Sequence, residues 1–249
     1  MADLALVLRR FDYGETSQTA RLFTREHGRV GVLAKGVKRP NASLRGPLDL
    51  FALAEIDLRL RPRSGLHLLT RYRVVAGFAG LRKNLERLNG AFYVTEVLRE
   101  GTRDRDPSPE LFEATVATLS ALEQATSAGA SLAVAWFELA YLEVAGFAPQ
   151  WDACSVCGRA APRRGPVRFA PWLGGVVCRQ CLGERPVRIV TLGDGIRTVL
   201  DALRGASGPA EAAAMEVRTL DRAVLRDLLS GFLQGVMEKA LKAATFIAP

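Results

Sequence analysis

The chain of 249 residues is 49% apolar and 24% charged, with a formal net charge of +8, an ordinary globular composition that suits one large domain or two to three small ones and excludes a disordered chain. Its longest uncharged apolar run, residues 124–137, is too short to cross a bilayer and reads as part of a buried helix. Residues 1–9 carry neither a basic leader nor a cleavage site, so the expected compartment is the reducing cytoplasm.

The first third of the chain reads as strands. Short β-compatible runs at 4–11, 18–25, 29–35, 50–60 and 66–75 are separated by Tyr13-Gly14, by His27-Gly28, by the irregular stretch 36–47 and by Pro62-Arg63-Ser64-Gly65. Phe51, Leu53, Glu55 and Asp57 alternate with Ala52, Ala54, Ile56 and Leu58, the period-2 mark of a curved sheet covered on one side. Five strands in so short a span predict a small barrel of the oligonucleotide-binding (OB) type.

After Gly80 the period becomes 3.6. Leu81, Leu85, Leu88, Phe92, Val97 and Leu98 mark one helix; Ser108, Pro109 and Glu110 supply a cap, a first-turn proline and an early carboxylate for the next. A third helix is expected over 131–144, ending at Gly146. Beyond a cysteine segment, Thr191 with Asp194 resembles a variant capping box, and helices are expected over 195–203 and 220–241. The expected architecture is an α+β multidomain chain: an OB barrel (1–80), a helical domain in two parts (81–149 and 189–249) and a four-cysteine finger (150–188) inserted between them.

Charge is divided unevenly along this order. Residues 1–80 hold 14 basic and 7 acidic side chains, 81–153 hold 6 and 11, 154–188 hold 7 and 1, and 189–249 hold 7 of each. Two basic blocks flank an acidic one, which suggests two places for a polyanion. Arginine outnumbers lysine 29 to 5, a bias that base composition explains as readily as phosphate recognition does. In the stretch 35–47, Lys35, Lys38, Arg39 and Arg45 stand among glycines and prolines, a loop suited to tracking a phosphate backbone with strongly salt-dependent affinity. Arg9, Arg10, Arg21, Arg25, Arg29, Arg71 and Arg73 widen the candidate track. Tyr13 and Tyr72 are candidate stacking platforms for unpaired bases, whereas Phe23 is expected in the core.

All four cysteines form Cys154-x2-Cys157 and Cys178-x2-Cys181, with 20 residues between the pairs. This spacing matches a tetrathiolate zinc site, a closed tetrahedron that builds structure and leaves no open position for chemistry. Two disulfides or four reduced thiols are the alternatives, and the expected compartment favours one structural zinc ion. Arg159, Arg163, Arg164 and Arg168 lie between the pairs as a second candidate polyanion contact.

Signals for catalysis are weak. The two histidines, His27 and His67, have no acidic or cysteine partner beside them in sequence; His27 reads as a turn residue and His67, in a strand beside Leu66 and Leu68, as a surface residue or a ring that stacks on a base. Neither G-x4-G-K-[ST] nor G-x-G-x-x-G opening a helix is present, and Cys154 follows Ala153 with no His-x-Glu, unlike the zinc deaminases. Glu96, Glu100, Glu138 and Glu143 read as a solvated acidic helix face. The chain is expected not to be an enzyme. A zinc-containing scaffold whose barrel binds another protein is the alternative to a DNA-binding role.

The run Tyr13-Gly14-Glu15-Thr16, then Leu22-Phe23-Thr24, Gly28 and Lys35-Gly36-Val37-Lys38-Arg39 resembles the amino-terminal barrel of RecO, a bacterial DNA repair and recombination mediator. Phe137-Glu138-Leu139 with Leu142, Gly146-Phe147-Ala148-Pro149, Cys154-Ser155-Val156-Cys157-Gly158 and Gly174-Gly175-Val176-Val177-Cys178 resemble the second half of the same family. The resemblance implies a non-catalytic protein of RecF-pathway repair. Such a protein binds single- and double-stranded DNA, anneals complementary strands and, with RecR, helps load RecA onto DNA coated by single-stranded DNA-binding protein (SSB). It also implies a groove for the SSB tail in the helical body and a cytoplasmic, nucleoid-associated location.

Overall fold

The computed structural model describes residues 2–40, 44, 46–61, 65–183 and 189–247. Five strands form where alternation and turns predict them: β1 (Ala2–Tyr13), β2 (Ser17–Thr24), β3 (Gly28–Ala34), β4 (Leu53–Arg59) and β5 (His67–Ala76). They close into a barrel in the order β1-β2-β3-β5-β4, antiparallel except where β3 meets β5, which is the OB arrangement expected from the sequence. Alternate side chains point inward, so Ala5, Val7, Ala20, Leu22, Val30, Val32, Ala54 and Ile56 share one buried core. Each buried Leu, Val or Ile contributes roughly 1.5–3 kcal/mol, against ~0–1 kcal/mol for an exposed ion pair such as Arg82–Asp49. The barrel therefore rests on its interior. Residues 62–64 of the predicted β4–β5 turn lie outside the described residues.

The turn between β2 and β3 depends on Gly28, whose φ is +65° and whose missing Cβ would stand 2.3 Å from the carbonyl oxygen of Asp106. An L-residue there meets both a left-handed backbone and a rigid neighbour. We expect Gly28→Ala to lower stability by about 2–4 kcal/mol, read as a shifted urea midpoint at an unchanged slope. A midpoint within error of the parent's would show that the Asp104–Pro107 segment gives way freely.

A 3-10 turn (Ala79–Lys83) takes the start of the first expected helix, and α1 (Leu85–Gly101) begins where the Asn84 side chain accepts a hydrogen bond from the Arg87 N–H at 3.0 Å. In α2 (Pro109–Gln124) the Ser108 carbonyl accepts the first helical bond, from the Phe112 N–H, and Pro109 opens the helix as predicted. α3 (Ser127–Val144) starts four residues earlier than expected because Thr126 Oγ1 caps the Gly129 N–H at 3.0 Å. It stops as predicted. Gly146, at φ +78°, turns the chain so that the Phe147 N–H reaches the Leu142 carbonyl at 2.7 Å, a Schellman termination.

The described chain forms two compact units, Met1–Gln124 and Ala125–Pro249. The second unit contains the small sheet of β6 (Val167–Ala170), β7 (Gly175–Val177) and β8 (Val190–Leu192), in the order β7-β6-β8, together with a short α4 (Arg179–Leu182), α5 (Asp194–Gly205), α6 (Pro209–Ala213) and α7 (Thr219–Met237). Thr191 does not cap α5. It pairs with Arg168 in the sheet, and Gly193 takes the cap position. Trp151 stacks on Phe169 at 4.8 Å and Phe169 meets Phe232 edge-on at 5.6 Å, joining the sheet to α7 in a single core. α7 ends before the expected 241 because Glu238 adopts a left-handed backbone, φ 52°. No helix among the described residues is long and apolar enough to cross a membrane.

Candidate nucleic-acid interface and metal centre

The turn after β3 is pinned to the β1–β2 hairpin. The Gly36 N–H donates to Ser17 Oγ at 3.0 Å, the Lys38 N–H donates to the Thr16 carbonyl at 2.9 Å, and Lys38 Nζ pairs with Asp12 at 2.7 Å. That bond to Lys38 holds the Asp12 carboxyl below its ordinary range. Lys35 and Arg39 are exposed and have no ionic partner among the described residues; Arg45 lies outside them. Along β1 the period of two puts Arg9, Phe11 and Tyr13 on one face, with the Arg9 guanidinium 4.4 Å from the Phe11 ring centre. Phe11 is 49% and Tyr13 60% exposed. Arg10 is exposed beside them.

Other predicted contacts are placed differently. Arg73 and Arg71 on β5 stand opposite Glu55 and Asp57 of β4. Arg73 Nε donates to Glu55 at 3.0 Å and Arg71 lies 3.5 Å from the same carboxylate, so these cations are largely answered within the sheet. Tyr72 is buried. It faces Ile56 across the ladder, inside the barrel, where burial pushes its hydroxyl pKa up; a ring there is closed to a base. Arg21 and Arg29 pair with Asp104, and Arg25 with Glu113. Phe23 is core, as expected, against Phe112.

His67, read as a surface residue or a base-stacking ring, is also buried, since β5 begins there paired with Val32 of β3, and its Nδ1 accepts the Arg61 N–H at 3.1 Å. His27 occupies its predicted turn, with Nδ1 2.8 Å from the Asp3 carboxylate. Glu96 and Glu138 do not belong to a solvated face: both are buried, Glu96 with Arg99 at 3.5 Å.

In the second unit, two knuckles bring all four cysteine sulfurs within 4.8 Å of one another. The first is a tight hairpin in which the Gly158 N–H bonds to the Cys154 carbonyl at 2.9 Å and the Cys154 N–H to the Arg159 carbonyl at 2.8 Å. In the second, Cys178 caps α4, which carries Cys181. Sulfurs bound at ~2.3 Å to one tetrahedral ion lie about 3.8 Å apart. Cys157 and Cys178 lie 3.8 Å apart. Burial pushes the Cys154 thiol up, but backbone N–H groups of Cys178, Cys157 and Val156 outweigh it and bring it to about 6; hydrogen bonds with the Cys157 and Cys178 side chains push Cys181 up to about 12. Four adjacent sulfurs cannot all ionise without a cation, and an all-sulfur donor set suits zinc.

Around this group Arg159, Arg163, Arg164 and Arg168 are exposed and lack ionic partners among the described residues. Arg159 and Arg168 line a cavity of about 180 Å³ together with Arg179.

The family model described as Recombination protein O N terminal matches residues 1–78, and Recombination protein O C terminal matches residues 82–244. The chain belongs to the RecO family. It is 37% identical over 242 residues to the DNA repair protein RecO of Anaeromyxobacter sp. (strain K), covering 97% of this chain and 93% of that protein. Identity to the DNA repair protein RecO of Myxococcus xanthus (strain DK1622) is 35% over 246 residues, covering 99% and 96%. The Bacillus subtilis (strain 168) relative, also named DNA repair protein RecO, is 32% identical over 184 residues, covering 74% and 69%.

Two residues of this RecO-family chain escaped the sequence reading. Phe11 stood within a predicted strand, yet its spacing of two from both Arg9 and Tyr13 marks the same face. Arg179, next to a cysteine, completes the arginine-lined cavity; no periodicity signals it, since it sits at the head of a four-residue helix.

Proposed function

We propose that this chain is a DNA-binding recombination mediator that acts without catalysing bond chemistry. In this reading it holds single- and double-stranded DNA, anneals complementary strands in RecF-pathway repair and, with RecR, helps RecA onto SSB-coated DNA; it works in the cytoplasm, at the nucleoid. Cys154, Cys157, Cys178 and Cys181 hold one zinc ion that fixes the shape of the finger. The four-part division at 80, 149 and 188 is kept as the functional one, with the barrel as the main DNA grip and the arginines near the cysteines as a second.

The observation that carries the proposal is the pinned turn after β3. Held by the Lys38–Asp12 pair, it presents Lys35 and Arg39, exposed and without ionic partners among the described residues, on the same barrel whose β1 exposes Arg9, Phe11 and Tyr13. Cations that follow phosphates, next to rings that stack on bases, form the sequence-indifferent grip that annealing requires. The test is twofold: anisotropy of a labelled unstructured oligonucleotide over rising salt, and annealing of complementary strands without ATP. We expect tight binding at low salt that weakens steeply, log K falling by ~0.7 per phosphate contact per unit of log salt. Absence of both binding and annealing at low salt in zinc-loaded protein would sink the reading.

A further inference from the structure

A cavity of about 310 Å³ opens on the barrel where the β2–β3 turn, the end of β4 and residues 105–107 meet. It is at the small end of ligand-sized pockets, and the OB surface near β2, β3 and the β4–β5 loop is where such barrels take oligonucleotides. Its apolar walls include Val30 and Leu60, with the His27 imidazole beside them. The segment behind it is fixed: the Arg105 N–H bonds to the Arg29 carbonyl at 3.0 Å, and Asp104 takes the Arg29 guanidinium at 2.8 Å. Arg105 itself is held at φ 61°, an unusual backbone for a non-glycine residue, and its side chain lines the cavity.

Two donors converge in this cavity. The backbone N–H of Arg61 donates to His67 Nδ1 at 3.1 Å, so in the neutral ring the proton sits on Nε2. Burial favours the neutral ring, drawing the His67 pKa down, with the Arg105 charge acting in the same direction. Yet His67 Nε2 lies 3.5 Å from Arg105 Nη2, which has only hydrogens to offer. Among the described residues neither group has an acceptor, and one oxygen between them would serve both. Glu26 lines the same cavity and Asp3 stands 2.8 Å from the His27 ring beside it, an acidic surrounding that disfavours an anion and favours a neutral carbonyl.

We propose that the cavity admits one unpaired nucleobase bearing an exocyclic carbonyl, which accepts hydrogen bonds from His67 Nε2 and Arg105 while its faces lie against Val30, Leu60 and the His27 ring. The proposal rests on the DNA-binding reading above. Thymine, guanine and cytosine carry such an oxygen; adenine does not. The barrel therefore distinguishes bases at this one point while its cations ignore sequence.

The test compares dT and dA oligomers of equal length, by anisotropy, against the parent protein, Arg105→Gly and Leu60→Trp. Glycine suits the left-handed backbone and leaves the Arg29 bond in place, and tryptophan fills the mouth from a residue already 53% exposed. The parent should favour dT, and both variants should lose about three- to tenfold of the dT-over-dA ratio, the range of one or two lost hydrogen bonds, with dA binding nearly kept. Equal loss on both oligomers, or an unchanged ratio, overturns the pocket and leaves the cations standing. Failure of the parent to bind either oligomer overturns the DNA-binding reading itself.

Discussion

Protein purified without chelator is expected to carry one equivalent of zinc, and withdrawing it should unfold the cysteine segment of the second unit. The apolar support around the cysteines themselves is slight: Cys154, Ala170 and Val177 form the buried cluster there, with Leu173 and Leu182 packed against it, whereas Trp151 and Phe169 belong to the core shared with α7. A structural zinc site contributes about 10–16 kcal/mol of apparent binding free energy at neutral pH, far more than three small side chains supply at ~25 cal/mol per Å². Cys154→Ser, which removes the buried ligand of the four, should release the metal and expose the two cysteine knuckles to protease while the barrel's strands keep their amide protection. The ligands bind as thiolates, so acidification also releases the ion. Less than about half an equivalent of zinc in carefully handled protein would dismiss the site.

Reversing Lys35 and Arg39 together to Glu should weaken single-stranded DNA binding about 10- to 100-fold at low salt and flatten the salt dependence by about 1.4 in log–log slope, the share of two phosphate contacts. Both side chains are exposed and unpaired among the described residues, so the fold should not register their loss. Lys38 is left intact because its pair with Asp12 anchors the turn. An unchanged slope with native thermal unfolding would mean that DNA, if bound, runs elsewhere.

The strands were legible because alternation and turn residues agree along the first 76 residues, and the cysteine group because its spacing is nearly a geometric instruction. What the sequence hid was cross-strand register. Arg71, Tyr72 and Arg73 read as two cations around a stacking ring; pairing with β4 sets Tyr72 opposite Ile56 in the core and sets the arginines opposite Asp57 and Glu55. His67 shows a related limit, since its burial comes with the pairing of β5 against Val32 of β3, a parallel contact no local pattern announces. Glu96 and Glu138 have helical spacing that suits a wet face, but which face is wet is decided by what packs on the helix.

The length of β1 has its own consequence. It pairs with β4 only as far as Leu6, while its ladder with β2 continues to Tyr13, past an irregularity between Val7 and Arg9. From Leu8 onward the ribbon therefore has an edge with no strand paired to it among the described residues, of the kind that invites another molecule's strand and seeds aggregation. Arg9, Arg10 and Asp12 stand along that edge, and the irregularity breaks its register. The arginines proposed to meet DNA are thus also the charges that disfavour edge-to-edge pairing of copies, and variants that neutralise them are to be judged for solubility before they are judged for binding.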